Sequence, residues 1–274
     1  MDFPTSHLKV RSYKIIIVSI FLILVLSAAC LLLYSLSSIG ADSVKINKLN
    51  IPKIDISEVS SKILALQVEP YLVSDYSLPS IRDGLAPVIY KVSTSQNLVF
   101  LGIDDGAFKD QSVVDLMQQN HIKASLFLSK AFIASNPAFF KQLVAQGSYV
   151  ENHTLSHDVN MVKTQDYTQQ KAEICGMSDY VESNFGRRPV FFRPPGGAYS
   201  DTMLKAAADC GMKAVVTWIA KANGGSMQYQ VGNKLRAGDI VLMHFRPEFK
   251  QDLQAFIDAC NAAGLHTALL EDAM

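Results

Sequence analysis

The chain has 274 residues, 49% of them hydrophobic, which is enough for one sizeable domain with appendages. Its 25 Lys and Arg balance its 25 Asp and Glu, interspersed along the chain. That balance excludes an electrostatic case for nucleic acid as a partner.

Ile15 to Leu36 carries no charged residue. About 20 apolar residues at 1.5 Å each cross a hydrocarbon core of about 30 Å, so residues 15–36 are expected to be a transmembrane helix contacting membrane lipid. Lys9, Arg11 and Lys14 precede it and place residues 1–14 in the cytoplasm, with the remainder outside. The alternative is a secreted protein released by cleavage near Ala41, although the h-region of a signal peptide is usually about 7–15 residues. Leu26–Cys30 faintly suggests a lipoprotein site, but apolar residues continue after Cys30. Residues 37–85 have scattered prolines and no sustained period, and read as a membrane-proximal stalk.

From Ala86 the pattern sharpens. Strands are expected at Pro87–Val92 and Asn97–Ile103, the second running into Asp104-Asp105-Gly106. A helix over Asp110–Asn120 and a strand over Ala124–Leu128 follow. A helix over Pro137–Gln146 stops at Gly147. The strand at Tyr149 opens onto Asn152-His153-Thr154-Leu155-Ser156-His157, whose imidazoles lie four residues apart. On a helical turn, positions i and i+4 share a face with Cβ atoms roughly 5–6 Å apart, so both rings could reach one cation. A carboxylate from the Asp-Asp-Gly turn would complete an Asp-His-His set able to hold a divalent metal with positions left open.

Further on, a helix is expected over Gln165–Phe185, then Val190–Phe192 as a strand entering Arg193-Pro194-Pro195-Gly196-Gly197. Asp201–Cys210 reads as a helix, Ala214–Trp218 as a strand ending in tryptophan, and Ile240–Met243 as a strand delivering His244. A helix over Gln251–Ala263 and a strand over His266–Leu270 close the chain. Strands alternating with helices indicate parallel β/α units, whose strand ends share one face. Cys175 and Cys210 fall in successive helices and could bridge, leaving Cys260 buried; equally, all three could be small core side chains.

The ordered motifs Asp104-Asp105-Gly106, His153-Thr-x-x-His157, Arg193-Pro194-Pro195-x-Gly197, Val216-Thr217-Trp218 and Leu242-Met243-His244 resemble the NodB-type polysaccharide deacetylases, carbohydrate esterase family 4. The resemblance spans residues 86–274. It implies an α/β fold, a distorted and incomplete (β/α) barrel (the NodB homology domain), and metal-dependent removal of acetyl groups from a glycan containing N-acetylglucosamine. By this likeness Asp105, His153 and His157 are the metal ligands, with zinc as the default and cobalt or another divalent ion as substitutes. Asp104 is the general base, His244 the general acid, and Arg193 orients Asp104. Gly196 offers a backbone N–H to the oxyanion, while Trp218 and Leu242 line the pocket for the acetyl methyl. The chain departs from the pattern after Trp218: Lys221 and Gly224 stand where many members carry acidic residues, and Asp239 is a conceivable substitute.

The expected function is therefore deacetylation of cell-wall peptidoglycan by a single-pass, extracytoplasmic enzyme. The competing expectations are an O-acetyl esterase, a non-catalytic metal-containing glycan-binding protein, and a structural anchor protein whose metal only stabilises the fold. The sequence sets no oligomeric state.

Overall fold

The computed structural model describes Asp75 and residues 78–272. The expected cytoplasmic segment 1–14, the membrane span 15–36 and most of the stalk 37–85 lie outside the described residues. Among the described residues no helix is long and apolar enough to cross a membrane. The last stalk residues lie against the domain: Leu78 packs on the barrel core and Leu85 on an outer cluster.

Ten strands form one sheet: β1 (Val88–Ile89), β2 (Leu98–Asp105), β3 (Ser125–Leu128), β4 (Tyr149–Asn152), β5 (Phe191–Phe192), β6 (Ala214–Val216), β7 (Ala220–Asn223), β8 (Ser226–Tyr229), β9 (Ile240–His244) and β10 (His266–Ala268). Their order is β1-β6-β5-β4-β3-β2-β9-β7-β8, with β10 against the start of β2. All pairings are parallel except the β7–β8 hairpin. The sheet curls until its β1 edge meets the start of β9. There Lys91 and Asp239 form an isolated antiparallel bridge, and the Val92 N–H donates to the Gly238 carbonyl at 2.8 Å. This seam requires glycine: a Cβ on Gly238 would lie 1.9 Å from the Val92 carbonyl oxygen. The architecture is the distorted (β/α) barrel expected from the sequence.

Helices α1 (Gln111–Gln119), α3 (Pro137–Ala145), α5 (Tyr167–Phe185), α6 (Asp201–Asp209) and α7 (Phe249–Ala263) cover the outside, joined by single-turn helices α2 (Lys130–Ile133) and α4 (Met161–Thr164). Their starts are chemically specified. Asp110, Asn136, Asp166 and Ser200 each accept a backbone N–H with the side chain, and Asp166 with Gln169 completes a capping box. Strand alternation divides the apolar residues. Val99, Leu101 and Ile103 face the outer helices, whereas Phe100, Phe127, Phe191, Val216, Ile240 and Leu270 fill the barrel.

Three expectations need correction. The strand expected to end in Trp218 stops at Val216, because the backbone turns there to begin β7. The β7–β8 hairpin was not anticipated: Ala-Lys-Ala-Asn and Ser-Met-Gln-Tyr lack the β-branched residues that mark strands. The turn holding His153 and His157 is not helical.

Cys175 and Cys210 do form a disulfide, tying α5 to the end of α6, and Cys260 is free and buried. Burial pushes the Cys260 thiol up to about 12, so it behaves as a core side chain.

At the opposite end of the barrel from the strand tips, Glu151 is buried and Glu271 partly buried. Glu151 accepts from Arg187 Nη1 at 2.7 Å and from the N–H groups of Val190 and Phe191 at 2.8 and 2.6 Å. Glu271 accepts only from the Ser125 hydroxyl, at 2.9 Å. The Glu151 charge acts on the Glu271 carboxyl, which favours a proton there. Glu151 has three donors, so the proton resides on Glu271, whose pKa burial and the Glu151 charge raise well above the usual carboxylate range. A folded pKa raised above the unfolded value means the stability is whole at low pH and falls as pH rises through the folded value. Glu271→Gln, which mimics the protonated form, should therefore keep the acid-side melting temperature and flatten the decline that sets in above the ordinary carboxylate pKa of about 4.5. Thermal melts across pH read both effects, and an unchanged decline above that pH in the variant would refute the proton assignment.

Candidate metal centre and catalytic groups

Asp104 and Asp105 end β2, and alternation sends them different ways. Asp104 points into the barrel and is nearly fully buried, at 3% exposure. Asp105 is forced to φ +74°, a left-handed backbone that aims its carboxylate at the strand tips. Thr154 (φ +70°) and His157 (φ +59°) are also left-handed. Each such residue costs on the order of 1–3 kcal/mol, and such strain concentrates at functional sites. The loop is held by its own polar groups. Asn152 Oδ1 accepts from the Thr154 N–H at 3.0 Å, and Thr154 Oγ1 from the His157 N–H at 3.1 Å. The Ser129 hydroxyl donates to the His153 carbonyl.

These constraints, rather than a helical turn, bring the two imidazoles to 5.0 Å between centroids. Asp105 Oδ1 lies 2.9 Å from His157 Nε2 and 3.4 Å from His153 Nε2. One ligand atom from each of Asp105, His153 and His157 falls within 4.8 Å of the others. His153 Nδ1 donates to the Arg193 carbonyl at 2.6 Å, which leaves Nε2 as a lone-pair donor facing Asp105. His157 packs on the Phe132 ring at 5.0 Å between centroids. The donor set fits a divalent cation. Burial pushes the Asp105 carboxyl up, but the imidazoles of His153 and His157 set against it outweigh that and hold it well below the usual carboxylate range.

Arg193, which follows β5, is completely buried. Its Nη1 donates to Asp104 Oδ1 at 2.6 Å, its Nε to the Val216 carbonyl at 3.2 Å, and its Nη2 to the Thr217 carbonyl at 3.5 Å. The guanidinium carbon stands 4.1 Å from the centre of the Phe127 ring, a cation–π contact. Gly102 makes the room: a Cβ there would lie 2.6 Å from both guanidinium nitrogens.

His244 ends β9 beside Asp104 in the sheet register. Burial lowers its pKa below that of an ordinary histidine, against the pull of Asp104 and Asp105. Leu242, two residues back on the same face, is buried. Trp218 is half-buried against the proline–glycine loop, where a Cβ on Gly197 would lie 2.6 Å from the indole. Gly196 is exposed at φ +70°.

The structure thus gathers Asp104, Asp105, His153, His157, Arg193 and His244 at one end of the barrel. It does not bring Asp239 there. Asp239 precedes β9, at the other end of that strand from His244, and is engaged by Lys91 and by the N–H of Arg236. Lys221 and Asn223 on β7 also belong to the site wall; the sequence reading missed the hairpin and so lacked the register that places them.

Residues 91–215 match the family model described as "Polysaccharide deacetylase". An uncharacterized protein of Streptomyces coelicolor is 39% identical over 161 residues, covering 57% of this chain and 63% of that protein, so the chain spans under two thirds of that relative. A peptidoglycan-N-acetylglucosamine deacetylase of Bacillus cereus is 29% identical over 178 residues, 60% of this chain and 81% of that one. Among solved structures, a family 4 carbohydrate esterase pseudoenzyme from Bacillus anthracis superposes with a TM-score of 0.59 at 20% identity, covering 69% of each chain.

The close approach over Gly102 has a direct consequence. Gly102→Ala should displace the Arg193 guanidinium and cost about 1–3 kcal/mol of folding stability, the typical penalty for overpacking. Because the Arg193 carbonyl orients His153, the same variant should weaken the affinity of the Asp105–His153–His157 group for an added divalent cation by roughly 10-fold or more. Denaturant melts and competition with a metal-sensitive dye measure the two effects; wild-type values in both would show that the contact is dispensable.

Proposed function

We propose, on the premise that residues 91–215 are a polysaccharide deacetylase domain, that the protein hydrolyses acetyl groups from the N-acetylglucosamine units of a cell-wall glycan such as peptidoglycan. The observation that carries this reading is the convergence of Asp105, His153 and His157 beside a separate carboxylate, Asp104, that is fixed by a buried arginine. Two adjacent carboxylates in different surroundings can do different work.

In this reading Asp105, His153 and His157 hold a divalent ion, zinc by preference, which supplies Lewis acidity at the acetyl carbonyl and brings the pKa of water down to about 7. Asp104 accepts the proton of the attacking water, and its link to Arg193 keeps the carboxylate oriented for that role. The new C–O bond forms on the acetyl carbon and places negative charge on the carbonyl oxygen, and the C–N bond then breaks as that charge returns to the carbonyl. His244 gives its proton to the departing nitrogen, so acetate and a free amine result. The Gly196 N–H faces the developing oxyanion, and Trp218 with Leu242 encloses the acetyl methyl.

The Cys175–Cys210 disulfide supports placing the domain in an oxidising compartment, consistent with an anchor at residues 15–36. That location favours the cell wall as substrate.

Full-length protein with zinc or cobalt should release acetate from N-acetylglucosamine oligomers and from peptidoglycan. Asp104→Asn should lower kcat by roughly 10²–10⁴-fold with metal still bound. His153→Ala should lose the metal and the activity together. Metal binding without acetate release from any acetylated glycan would replace this reading with that of a glycan-binding protein.

A further inference from the structure

The wall beside His244 carries unneutralised positive charge. In the parallel sheet Lys221 pairs with Leu242, so the two share a face. Leu242 in turn pairs with Gly102, the residue over which the Arg193 guanidinium sits, which makes that face the inner one. Ala220 and Ala222 point the other way, into the outer core. Lys221 and Asn223 therefore stand next to the inner row Leu242–His244. Arg246 reaches back over the strand tip, its Nη1 donating to Asn223 Oδ1 at 3.2 Å. It is near enough for its charge to act on the His244 imidazole.

Among the described residues neither Lys221 nor Arg246 has a carboxylate partner. Asp104 is bound by Arg193, and Asp252 accepts the Gly225 N–H at 2.7 Å. Lys221 is half-buried and Arg246 exposed, so both can meet a ligand in the cleft. Two cations without a carboxylate partner among the described residues, on one wall of the cleft, repel one another, and an anion between them relieves that repulsion.

We propose that Lys221 and Arg246 select a glycan bearing a negative charge, carboxylate or phosphate, on or next to the acetamido sugar that is deacetylated. This rests on the deacetylase reading of the same cleft and narrows its substrate class. Lys221 acts as a point charge close to the acetyl pocket, and Arg246, oriented by Asn223, presents its guanidinium fork further out.

The test compares three oligomers on the full-length, zinc-loaded protein. One is all N-acetylglucosamine, one alternates with N-acetylmuramic acid and so carries carboxylates, and one carries phosphate. Steady-state acetate release and equilibrium binding of fluorescently labelled oligomers are both measured, for wild type, Lys221→Gln and Arg246→Gln. At least one anionic oligomer should show a KM and a Kd about fivefold below the neutral one. Each substitution should shrink that ratio through KM rather than kcat, and added salt should do the same. The arm with the larger ratio identifies carboxylate or phosphate. Equal treatment of the three oligomers by wild type, or an equal KM change for all three in the variants, would overturn the proposal. If no oligomer releases acetate, the deacetylase reading fails, and the binding ratio still decides this one: an anionic preference lost in the variants supports it, and equal affinities refute it.

Discussion

A guanidinium sealed inside a β-barrel is the constraint around which the site is built. Removing a charge from water costs several kcal/mol unless geometry and hydrogen bonds offset it. Arg193 meets that demand with the Asp104 carboxylate, the carbonyls of Val216 and Thr217, and the face of Phe127. The barrel in turn must leave a hole, which it does at Gly102. Burial lowers the guanidinium pKa, but the ordinary value of an arginine is so far above neutrality that the charge persists. The same residue holds His153 through its backbone carbonyl. The orientation of the candidate base and of one candidate metal ligand thus descends from a single residue at the end of β5. A change that loosens Arg193 would disturb both at once.

What the sequence made legible follows from how far each feature depends on local chemistry. Strand β2 was visible because an unbroken apolar run must be buried on both faces, and the Asp-Asp-Gly that follows must end it. Helices α1, α3, α5 and α6 lie within a residue or two of their expected bounds because apolar spacing marks their buried faces and glycines follow three of them, at Gly147, Gly186 and Gly211. The histidine pair was recognised but given the wrong geometry. Spacing by four suits a helix, whereas the loop instead combines left-handed residues with side-chain hydrogen bonds from Asn152 and Thr154. Nothing in a pair of histidines announces which of these will hold. The β7–β8 hairpin escaped because its strands lack β propensity and are stabilised by tertiary partners, β9 on one side and α7 beneath. Asp239 was placed too generously: a residue that precedes a strand by one position sits at the end opposite to one that terminates it.

Fold alone does not separate an enzyme from its inactive cousin. The superposable structure from Bacillus anthracis is a pseudoenzyme, and at 20% identity it speaks for the architecture only. The distinction resides in side chains at the strand ends. In this chain the Asp-His-His donor atoms converge, a second carboxylate beside them (3.8 Å from His153 Nε2) is held by a buried arginine, and a histidine stands across from it on β9. A scaffold retaining only metal-assisted stability would have no use for the second carboxylate or for the histidine across from it. Burying Asp104 and Arg193 together is expensive compared with an apolar core of the same volume.

The same arrangement accounts for how β7 can carry lysine at the rim of such a centre. Compensation of Arg193 is completed within β2, β5 and β6: its ionic partner comes from β2, and its carbonyl acceptors are Val216 on β6 and Thr217 just after it. No group from β7 is needed to neutralise it. The hairpin is attached at the sheet edge by the pairs Ala220–Val241 and Lys221–Leu242, and its turn is pinned from outside by Asp252. Its outward alanines serve packing, while its inward residues face a cleft whose central charges already cancel. Position 221 can therefore change sign without unbalancing the buried pair, and its charge acts on whatever enters the cleft. An acidic residue there would have added a second partner for a guanidinium that has one. A lysine leaves the core chemistry intact and gives the entrance a polarity of its own.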